Sequence, residues 1–376
     1  MVEWGGAVGA YVASDLKEMN RAAVYELLKA KGEISKAEVG RLSGISAPTV
    51  IKIVDYFREI GIASEAGALP SALGRKPVRI RFEPESSLSI GAQYDGVHLT
   101  VGLVDLGGRI HALRRTEASS NLRETVEGRL PREIKALFTE SSVPWTRVHG
   151  IGIGVPAVID RGKELIRFAP LAGLRESFNY RPILDSLGKE LGFPVFIEND
   201  ANAAALGEAA ARGPGEGCDL VFIEMGRGLG AGLILDGRLR RGSRHSAGEI
   251  GYLALEGDRE ASLDEPGWLE SRMDLDSFWN EVSRWGSPSE ASLTRVVDLL
   301  ALALSNICVS LDIGRVVVGQ AGQEPFGPLL LERLAKALSK LCVLEVVCDA
   351  PRAPEPGVTG AAGVATEAWM AKAFAG

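Results

Sequence analysis

The sequence predicts an α/β protein in which a small winged helix-turn-helix precedes a body of two α/β lobes. Three observations support this prediction. The first 84 residues contain short capped helices followed by two strand-like segments. From Pro84 onward, strand-like and helix-like segments alternate, as in α/β domains. The charge changes sign between the same two regions, from a basic N-terminal part to an acidic body.

Two helices are predicted before residue 44. Asn20 can cap the first helix, whose apolar positions share one face, and Gly32 ends it. Ser35 and Glu38 have the spacing of a capping box, in which each side chain binds the backbone amide of the other residue. This pattern places the start of the second helix directly after Ser35.

A third helix follows a short turn. Ser46 can cap it, and Pro48 stands in its first turn, where a missing backbone N–H costs nothing. Its apolar face is predicted to comprise Ala47, Ile51, Val54 and Phe57. In such a trihelical layout the third helix can enter the major groove of DNA with its N-terminal residues toward the bases. The predicted DNA contacts from this helix are Ser46, Pro48, Thr49 and Lys52.

A wing is predicted after the third helix. Ile62–Glu65 and Val78–Phe82 have strand patterns, and the second alternates apolar and basic residues. Arg75 and Lys76 lie in the turn between them and present positive charge, which suits phosphates or a narrow minor groove. The alternative interpretation is a small helical domain for protein contacts, with a solvated wing.

The distribution of charge supports the DNA-binding interpretation. Between Lys17 and Phe82 there are twelve Lys and Arg residues against seven Asp and Glu residues, which is a net charge of +5. The whole chain carries −7, so the remainder carries −12. A basic segment on an acidic chain is the pattern expected of a polyanion-binding head.

The composition argues against several other protein classes. No run of eighteen or more apolar residues is present, so no membrane span is expected. Residues 1–14 lack a cationic start followed by an apolar core, so no signal peptide is predicted and a cytoplasmic location is expected. The four cysteines form no C-x-x-C pair, which favours buried thiols over a metal site.

The body is predicted to contain two α/β lobes with a cleft between them, where ligands commonly bind. Gly150–Val155 and Val195–Glu198 are typical of buried strands, and Ala201–Arg212 is helical in composition. A second set of strands and helices begins at Asp219. The predicted domains are a flexible arm (1–16), the winged helix-turn-helix (17–84), a smaller lobe (85–200) with the C-terminal helix (359–376), and a larger lobe (201–358) with the effector cleft and the oligomerisation surface.

Four segments of the body resemble motifs of the ROK family, which groups sugar-responsive repressors with sugar kinases: Gly150–Pro156, Glu198–Glu208, Gly226–Gly232 and Ala247–Gly251. The helix-turn-helix and the Gly-Arg-Lys-Pro wing resemble the repressor branch, with its xylose- and N-acetylglucosamine-type regulators. The resemblance covers nearly the whole chain and implies an actin-like (sugar kinase/ribonuclease H-like) fold that forms oligomers. In the kinases, it implies glycine loops whose amides hold ATP phosphates and an Asp that accepts the sugar proton.

The phosphate loops depart from the kinase pattern that the resemblance implies. In the first loop, Gln93 stands where the kinases have a carboxylate near the metal ion. Asp95 stands where they have a glycine beside the ATP phosphates, so it places negative charge there. Arg227 takes a threonine position, and residues 319–321 replace a glycine-rich turn. We therefore expect no enzymatic activity, with Asp200 a vestigial base. Asp95 and Arg227 are hypothesised to pair across the vestigial phosphate site; the alternative is that each faces water.

The sugar site is also altered relative to the family pattern. Asn199, Asp200 and Glu249 match residues that hydrogen-bond sugar hydroxyls, although Asn199 and Asp200 could instead cap the following helix. Three further positions of the expected effector site depart from the pattern: Ala157, Leu171 and Tyr252. The cysteines of the family's zinc motif are replaced by Ala261, Leu263 and Trp268, so we expect no metal and no cofactor.

These observations together predict a repressor of carbohydrate-metabolism genes. It is expected to bind operator DNA as a homodimer or homotetramer and to respond to a sugar or sugar derivative. One alternative is a sugar kinase with an appended DNA-binding head, which the intact Asp200 supports. Another is a ligand-independent DNA-binding protein, which the changes at Ala157, Leu171 and Tyr252 support.

Overall fold

The computed structural model describes residues 13–66, 78–141, 143–168, 176–213, 219–257 and 267–375. The chain divides into two compact units. We call the first the head; it comprises Met1–Ser87 together with Glu367–Gly376. We call the second the body; it comprises Leu88–Thr366.

The helices and strands follow one another along the chain with these bounds. The helices are α1 (Ala13–Lys31), α2 (Lys36–Ser43), α3 (Ala47–Glu59), α4 (Leu122–Glu124), α5 (Leu130–Ser141), α6 (Arg181–Leu191), α7 (Asp200–Arg212), α8 (Trp268–Met273), α9 (Leu275–Trp285), α10 (Glu290–Leu311), α11 (Gln320–Gln323), α12 (Gly327–Leu341) and α13 (Pro356–Ala375). The strands are β1 (Glu33–Ser35), β2 (Ala63–Ala66), β3 (Arg79–Phe82), β4 (Leu88–Tyr94), β5 (His98–Asp105), β6 (Ile110–Glu117), β7 (Val148–Val155), β8 (Val158–Asp160), β9 (Leu165–Phe168), β10 (Phe178–Asn179), β11 (Val195–Asn199), β12 (Leu220–Met225), β13 (Leu229–Leu235), β14 (Arg238–Leu239), β15 (Arg315–Val318) and β16 (Val347–Asp349).

The head consists of three N-terminal helices and an antiparallel sheet with the order β1-β3-β2. Strands β2 and β3 pair from Ala63 opposite Phe82 to Ala66 opposite Arg79, which is the predicted wing hairpin. Strand β1 was not predicted. The capping box at the start of α2 is present, because the Ser35 hydroxyl accepts from the Glu38 amide and the Glu38 carboxylate accepts from the Ser35 amide.

The first helix begins earlier than the sequence analysis predicted. It starts at Ala13, seven residues before the expected cap Asn20, so residues 13–16 belong to a helix and not to an arm. The physical reason is that residues 16–19 are exposed and are good helix formers, which continue the helix without a cap. The buried stripe of α1 comprises Arg21, Val24, Tyr25 and Leu28.

The third helix is rotated relative to the predicted apolar face. Its buried residues are Val50, Ile53, Val54 and Phe57, whereas Ala47 and Ile51 are exposed. Both sets of positions satisfy a helical period, and packing in the head core selected the one that buries the larger side chains. Ser46 occupies the N-cap position, but its hydroxyl lies 2.9 Å from the hydroxyl of Thr49 and makes no cap bond to the backbone.

The C-terminal residues complete the head. The Phe374 ring contacts the rings of Tyr25 and Phe57, each with a centroid distance of 6.0 Å. Arg21 donates hydrogen bonds to the carbonyls of Ala373 and Phe374, and such last carbonyls of a helix lack partners within the helix. The assignment of the whole C-terminal helix to the smaller lobe was therefore wrong for its last turns, because these side chains fill the head core.

The body contains two five-stranded mixed sheets. Their strand orders are β11-β7-β4-β5-β6 and β14-β13-β12-β15-β16. In each sheet the central strand pairs with an antiparallel hairpin on one side and a parallel strand on the other. If the strands of each sheet are numbered from one in chain order, both sheets have the order 3-2-1-4-5. This repeated topology is the arrangement expected of an actin-like fold.

Helices α7 and α13 pack closely through small residues within the body. A methyl group on Gly360 would lie 1.7 Å from the carbonyl oxygen of Ala203, and one on Gly207 would lie 2.1 Å from that of Pro356. The alanine-rich composition of α7 thus reflects close helix packing as well as helix propensity. This packing sets the position of Asn199 and Asp200 at the N-terminal end of α7.

Among the described residues, α10 (Glu290–Leu311) has the length and apolar composition of a membrane-crossing helix. Of its most apolar window, 56% is buried inside the protein. Leu300, Leu304 and other side chains of α10 belong to the core of the second lobe.

Candidate functional site

The first candidate surface is the exposed face of α3 in the head. Ser46, Pro48 and Lys52 are exposed and Thr49 is half-buried, so all four predicted DNA contacts lie on the N-terminal half of this helix with surface access. Asp55, further along the helix, accepts a hydrogen bond from Lys36 at 3.2 Å, which offsets its negative charge. Arg75 and Lys76 of the wing lie outside the described residues.

The second candidate site is in the body and is built around the end of β11. Glu198 is buried, and its Oε2 accepts hydrogen bonds from Arg161 at 2.7 Å and from two nitrogens of Arg241 at 3.0 and 2.8 Å. Its Oε1 accepts from the amide of Asn199 and the side chain of Asn202. We call this set the Glu198 clamp. It joins two distant segments of the chain, at Arg161 and at Arg241, to the start of α7.

Asn199 has its side-chain polar atoms engaged within the protein. Its Oδ1 accepts from the amide of Asn202 at 2.9 Å, as an N-cap does, and its Nδ2 donates to the carbonyl of Ala157 at 3.2 Å. The capping alternative considered from the sequence therefore describes this residue. Ala157 is buried directly after β7, and Leu171 lies outside the described residues.

Asp200 and Glu249 come together in the body although 49 positions separate them in the chain. Burial raises the pKa of Asp200 to about 6 and, helped by the nearby Asp200, raises the pKa of Glu249 to about 7. No described residue donates a hydrogen bond to the Glu249 carboxyl group. Tyr252 lies in the short 3-10 helix that follows Glu249.

Glu270 on α8 belongs to the same acidic group and was not named as a site residue from the sequence. Its carboxyl group accepts hydrogen bonds from the amides of Gly267 and Leu229, and burial raises its pKa to about 7. It also raises the pKa of Glu249. The signal available in the sequence was the segment Gly267–Glu270, which still resembles the family's zinc motif although the cysteines of that motif are replaced. Trp268 of that segment is buried, and Ala261 and Leu263 lie outside the described residues.

Asp95, predicted to belong to a vestigial phosphate site, lies in the turn between β4 and β5. Its Oδ1 accepts from the amides of Val97 and His98 at 2.8 and 2.6 Å, and its Oδ2 lies 3.4 Å from the His98 ring. Arg227 is exposed in the turn between β12 and β13 and makes no ion pair with Asp95. The pairing hypothesis was therefore wrong, because local backbone donors and His98 already satisfy the Asp95 carboxylate.

Glu224 on β12 was missed by the sequence analysis. Its carboxyl group accepts from the amide of Gln320, and a methyl group on Gly319 would lie 2.8 Å from its Oε2. Burial, together with the charges of Asp200 and Asp95, raises the pKa of Glu224 to about 8. An apolar strand with one internal acid was the only signal in the sequence. The carboxyl groups of Asp95, Asp200 and Glu224 thus lie close enough to influence one another electrostatically.

This arrangement favours neutral polyhydroxyl ligands over phosphates. Carboxyl groups with raised pKa values can donate as well as accept hydrogen bonds near neutral pH, which suits sugar hydroxyls. A triphosphate would instead meet the carboxylates of Asp95 and Asp200, and like charges repel it.

The sequence and fold can be compared with those of known proteins. The family model described as "ROK family" matches residues 89–265. The xylose repressor of Caldicellulosiruptor bescii is 25% identical over 360 residues, which cover 86% of this chain and 88% of that protein. The xylose repressor of Bacillus subtilis is 27% identical over 241 residues, or 64% of this chain, and the match spans only 62% of that repressor's length.

Among solved structures, a ROK family transcriptional regulator described as a homologue of the E. coli MLC protein has a TM-score of 0.74. It covers 96% of this chain and 99% of its own at 19% identity, so it shows a shared fold. The family match falls on the body, which contains the Glu198 clamp and the acidic group. Residues 89–265 of the chain are therefore similar to the ROK family domain.

Proposed function

We propose that this protein is a DNA-binding transcriptional repressor of carbohydrate-metabolism genes, controlled by a sugar-type effector. The observation that carries the proposal is the helix-turn-helix head, with α3 presenting Pro48, Thr49 and Lys52 at its surface, on the same chain as a ROK domain. The similar proteins include two xylose repressors, one matched over 88% of its length and the other over 62%. A symmetric dimer or tetramer would place two heads on the half-sites of a pseudo-palindromic operator.

The body would act as a sensor without phosphoryl transfer. The carboxylates of Asp95 and Asp200 oppose a triphosphate, whereas Asp200 and Glu249 offer hydrogen bonds to a neutral ligand. In this proposal the Glu198 clamp positions α7, so that Asp200 faces the effector. The effector regulates the protein only if it binds the DNA-competent and DNA-incompetent states with different affinity.

The DNA-binding part is tested by selection of bound duplexes from a random pool with the full chain, followed by anisotropy titrations at several salt concentrations. A selected inverted repeat, and affinity that falls steeply with salt, are expected. Arg75→Ala with Lys76→Ala should weaken binding to every duplex and flatten the salt dependence. A chain that selects no sequence and binds no duplex at low salt would refute the proposal.

The sensor part is tested by calorimetry with a panel of sugars and sugar phosphates, and with Mg-ATP. Sugar binding without ATP, abolished by Glu249→Ala and retained by the exposed control Glu256→Ala, is expected. Turnover of ATP in the presence of a sugar would establish the kinase alternative, which the intact Asp200 allows. Silence from every compound would favour a ligand-independent DNA-binding protein.

A further inference from the structure

We infer that Ile51 reads the methyl groups of thymines in the operator. This inference rests on the proposed DNA binding and adds the chemistry that the recognition helix selects. Ile51 is 45% exposed, although isoleucine is among the residues most often buried in proteins. Its exposure is imposed by the head core, because α3 already buries Val50, Ile53, Val54 and Phe57 on its other side.

Ile51 lies in the middle of the exposed face of α3. Successive helix residues are separated by roughly 100°, which places Ala47 and Asp55 about 40° to either side of Ile51. Pro48 and Lys52 lie on the same side as Asp55. Ala47, Pro48 and Ile51 therefore form a continuous exposed apolar patch on the half of the helix that carries the predicted base contacts.

The charges around this patch favour DNA as its partner. Lys52 on α3 and Arg41 on α2 are exposed, and the head carries net positive charge between Lys17 and Phe82. The acidic neighbour Asp55 is neutralised by Lys36 at 3.2 Å and Arg58 at 3.7 Å. The patch is therefore apolar, is surrounded by basic side chains, and has a single acidic neighbour whose charge is compensated. Such a surface suits a polyanion that also exposes an apolar group, as DNA does in its grooves.

Thymine is the base that supplies such a group. Its C5 methyl is the apolar feature of the major groove, whereas the other base edges present hydrogen-bond donors and acceptors. If an isoleucine side chain packed against those polar edges, it would displace water and leave their donors and acceptors without hydrogen bonds, which is unfavourable. Ile51 therefore selects thymine both by contact with the methyl group and by disfavouring the alternatives.

The test uses the full chain and the duplex selected from the random pool. Each thymine is replaced in turn by deoxyuridine, which removes only the C5 methyl. We expect one or two positions per half-site at which the wild-type affinity falls about fourfold, the value for one buried methyl group. At these positions Ile51→Ala should bind the thymine and deoxyuridine duplexes equally, while Ile51→Val should keep part of the difference.

Two controls separate this effect from loss of structure. Leu113→Ala removes an apolar side chain of similar exposure (42%) from the body and should leave the deoxyuridine profile unchanged. The unfolding midpoint of Ile51→Ala should equal that of the wild type, because the side chain is outside the core.

The possible outcomes distinguish this inference from the proposed function. Sequence-specific binding with no sensitivity to deoxyuridine, or with equal sensitivity in wild type and Ile51→Ala, would overturn the role of Ile51 and leave the repressor proposal intact. A change in sedimentation of Ile51→Ala without a change in DNA affinity would assign the patch to a protein contact. Absence of DNA binding by the wild type would overturn both.

Discussion

The head and the body differ in where they place their charged side chains. In the head the described ion pairs are partly or fully exposed, as in Lys36 with Asp55 and Arg58 with Glu65. In the body Glu208 is fully buried; it accepts from Arg212 at 2.7 Å and from the amides of Arg352 and Ala353. Exposed pairs contribute little to stability, whereas breaking a buried pair leaves an uncompensated charge.

This difference teaches which part of the molecule can change without loss of the fold. The exposed face of α3, which is the proposed recognition surface, lies over an apolar core, so its polar residues can change without disturbing that core. The proposed ligand residue Asp200 follows the buried Glu198 clamp, which holds distant segments together, so changes in this region should also affect the fold. Four predictions sharpen or break this comparison.

The largest effect is expected from Glu208→Ala in the body. Removal of the carboxylate leaves two buried amides without their partner and leaves the buried Arg212 with Asp349 alone, at 3.3 Å. This should lower the free energy of unfolding by about 3–5 kcal/mol. Urea unfolding followed by circular dichroism measures it. The matched change in the head, Lys36→Ala, removes an exposed pair and should cost below about 1 kcal/mol. Equal losses from the two variants would remove the contrast between the units.

Phe374→Ala tests whether the head depends on the C-terminus of the chain. Its ring is buried against Tyr25 and Phe57, so truncation should destabilise the head by about 3 kcal/mol. Hydrogen exchange of the α3 amides of Val54 and Phe57 should accelerate. Lys372→Ala, an exposed change on the same helix, is the control. Unchanged protection of α3 would mean that the N-terminal residues hold the head by themselves.

The acidic group of the body predicts a decrease in stability with rising pH. The folded pKa of Glu249, about 7, lies above its ordinary value of 4.5, so the folded state binds more protons between these values. The contribution of the protonated Glu249 to the free energy of unfolding is fully present below about pH 4.5 and is lost as the pH rises through 7. Glu270 acts in the same direction, since its pKa is also raised to about 7.

Glu249→Gln should therefore raise the free energy of unfolding at pH 8, by up to about 3 kcal/mol, and flatten its dependence on pH. Urea unfolding of both proteins at pH 5, 6.5 and 8 measures the difference. The exposed Glu256→Gln should follow the wild type at every pH. If the difference in stability between Glu249→Gln and the wild type does not grow from pH 5 to pH 8, the pKa of Glu249 is not raised in the folded protein.

The smallest effect on stability is expected from Lys52→Ala. Its side chain is exposed on α3, so the free energy of unfolding should change by below about 0.5 kcal/mol. If Lys52 contacts a phosphate, the slope of the logarithm of DNA affinity against the logarithm of salt concentration should become shallower by about one. A loss of stability above 1 kcal/mol would show that the recognition surface and the fold of the head are not separable.

Several elements of the fold were predictable because their determinants are local. The capping box of Ser35 and Glu38 marks the start of α2, and Asp236-Gly237 marks the hairpin between β13 and β14, where both residues have positive φ. The start of α1 was not predictable from a cap, because the helix continues through exposed helix formers. The strand β1 was too short to give a pattern.

The candidate site was only partly predictable. The ROK motifs identified Asn199, Asp200 and Glu249, but not the way in which Glu198 holds Arg161 and Arg241 together. The sequence around a carboxylate does not indicate which residues bind it when those residues come from distant segments of the chain. The Asp95 and Arg227 pairing failed for the same reason, since two opposite charges near one site need not face each other.

The sequence by itself determined the presence of a helix-turn-helix, the two α/β lobes and the ROK motifs, because caps, turns and periodicity depend on neighbouring residues. The tertiary structure decided which face of α3 is exposed, that Phe374 completes the head core, and that Asp200, Glu224, Glu249 and Glu270 gather in the body. Burial and charge proximity arise only when distant segments pack together, and they determine the pKa values and the surfaces on which the proposed function depends.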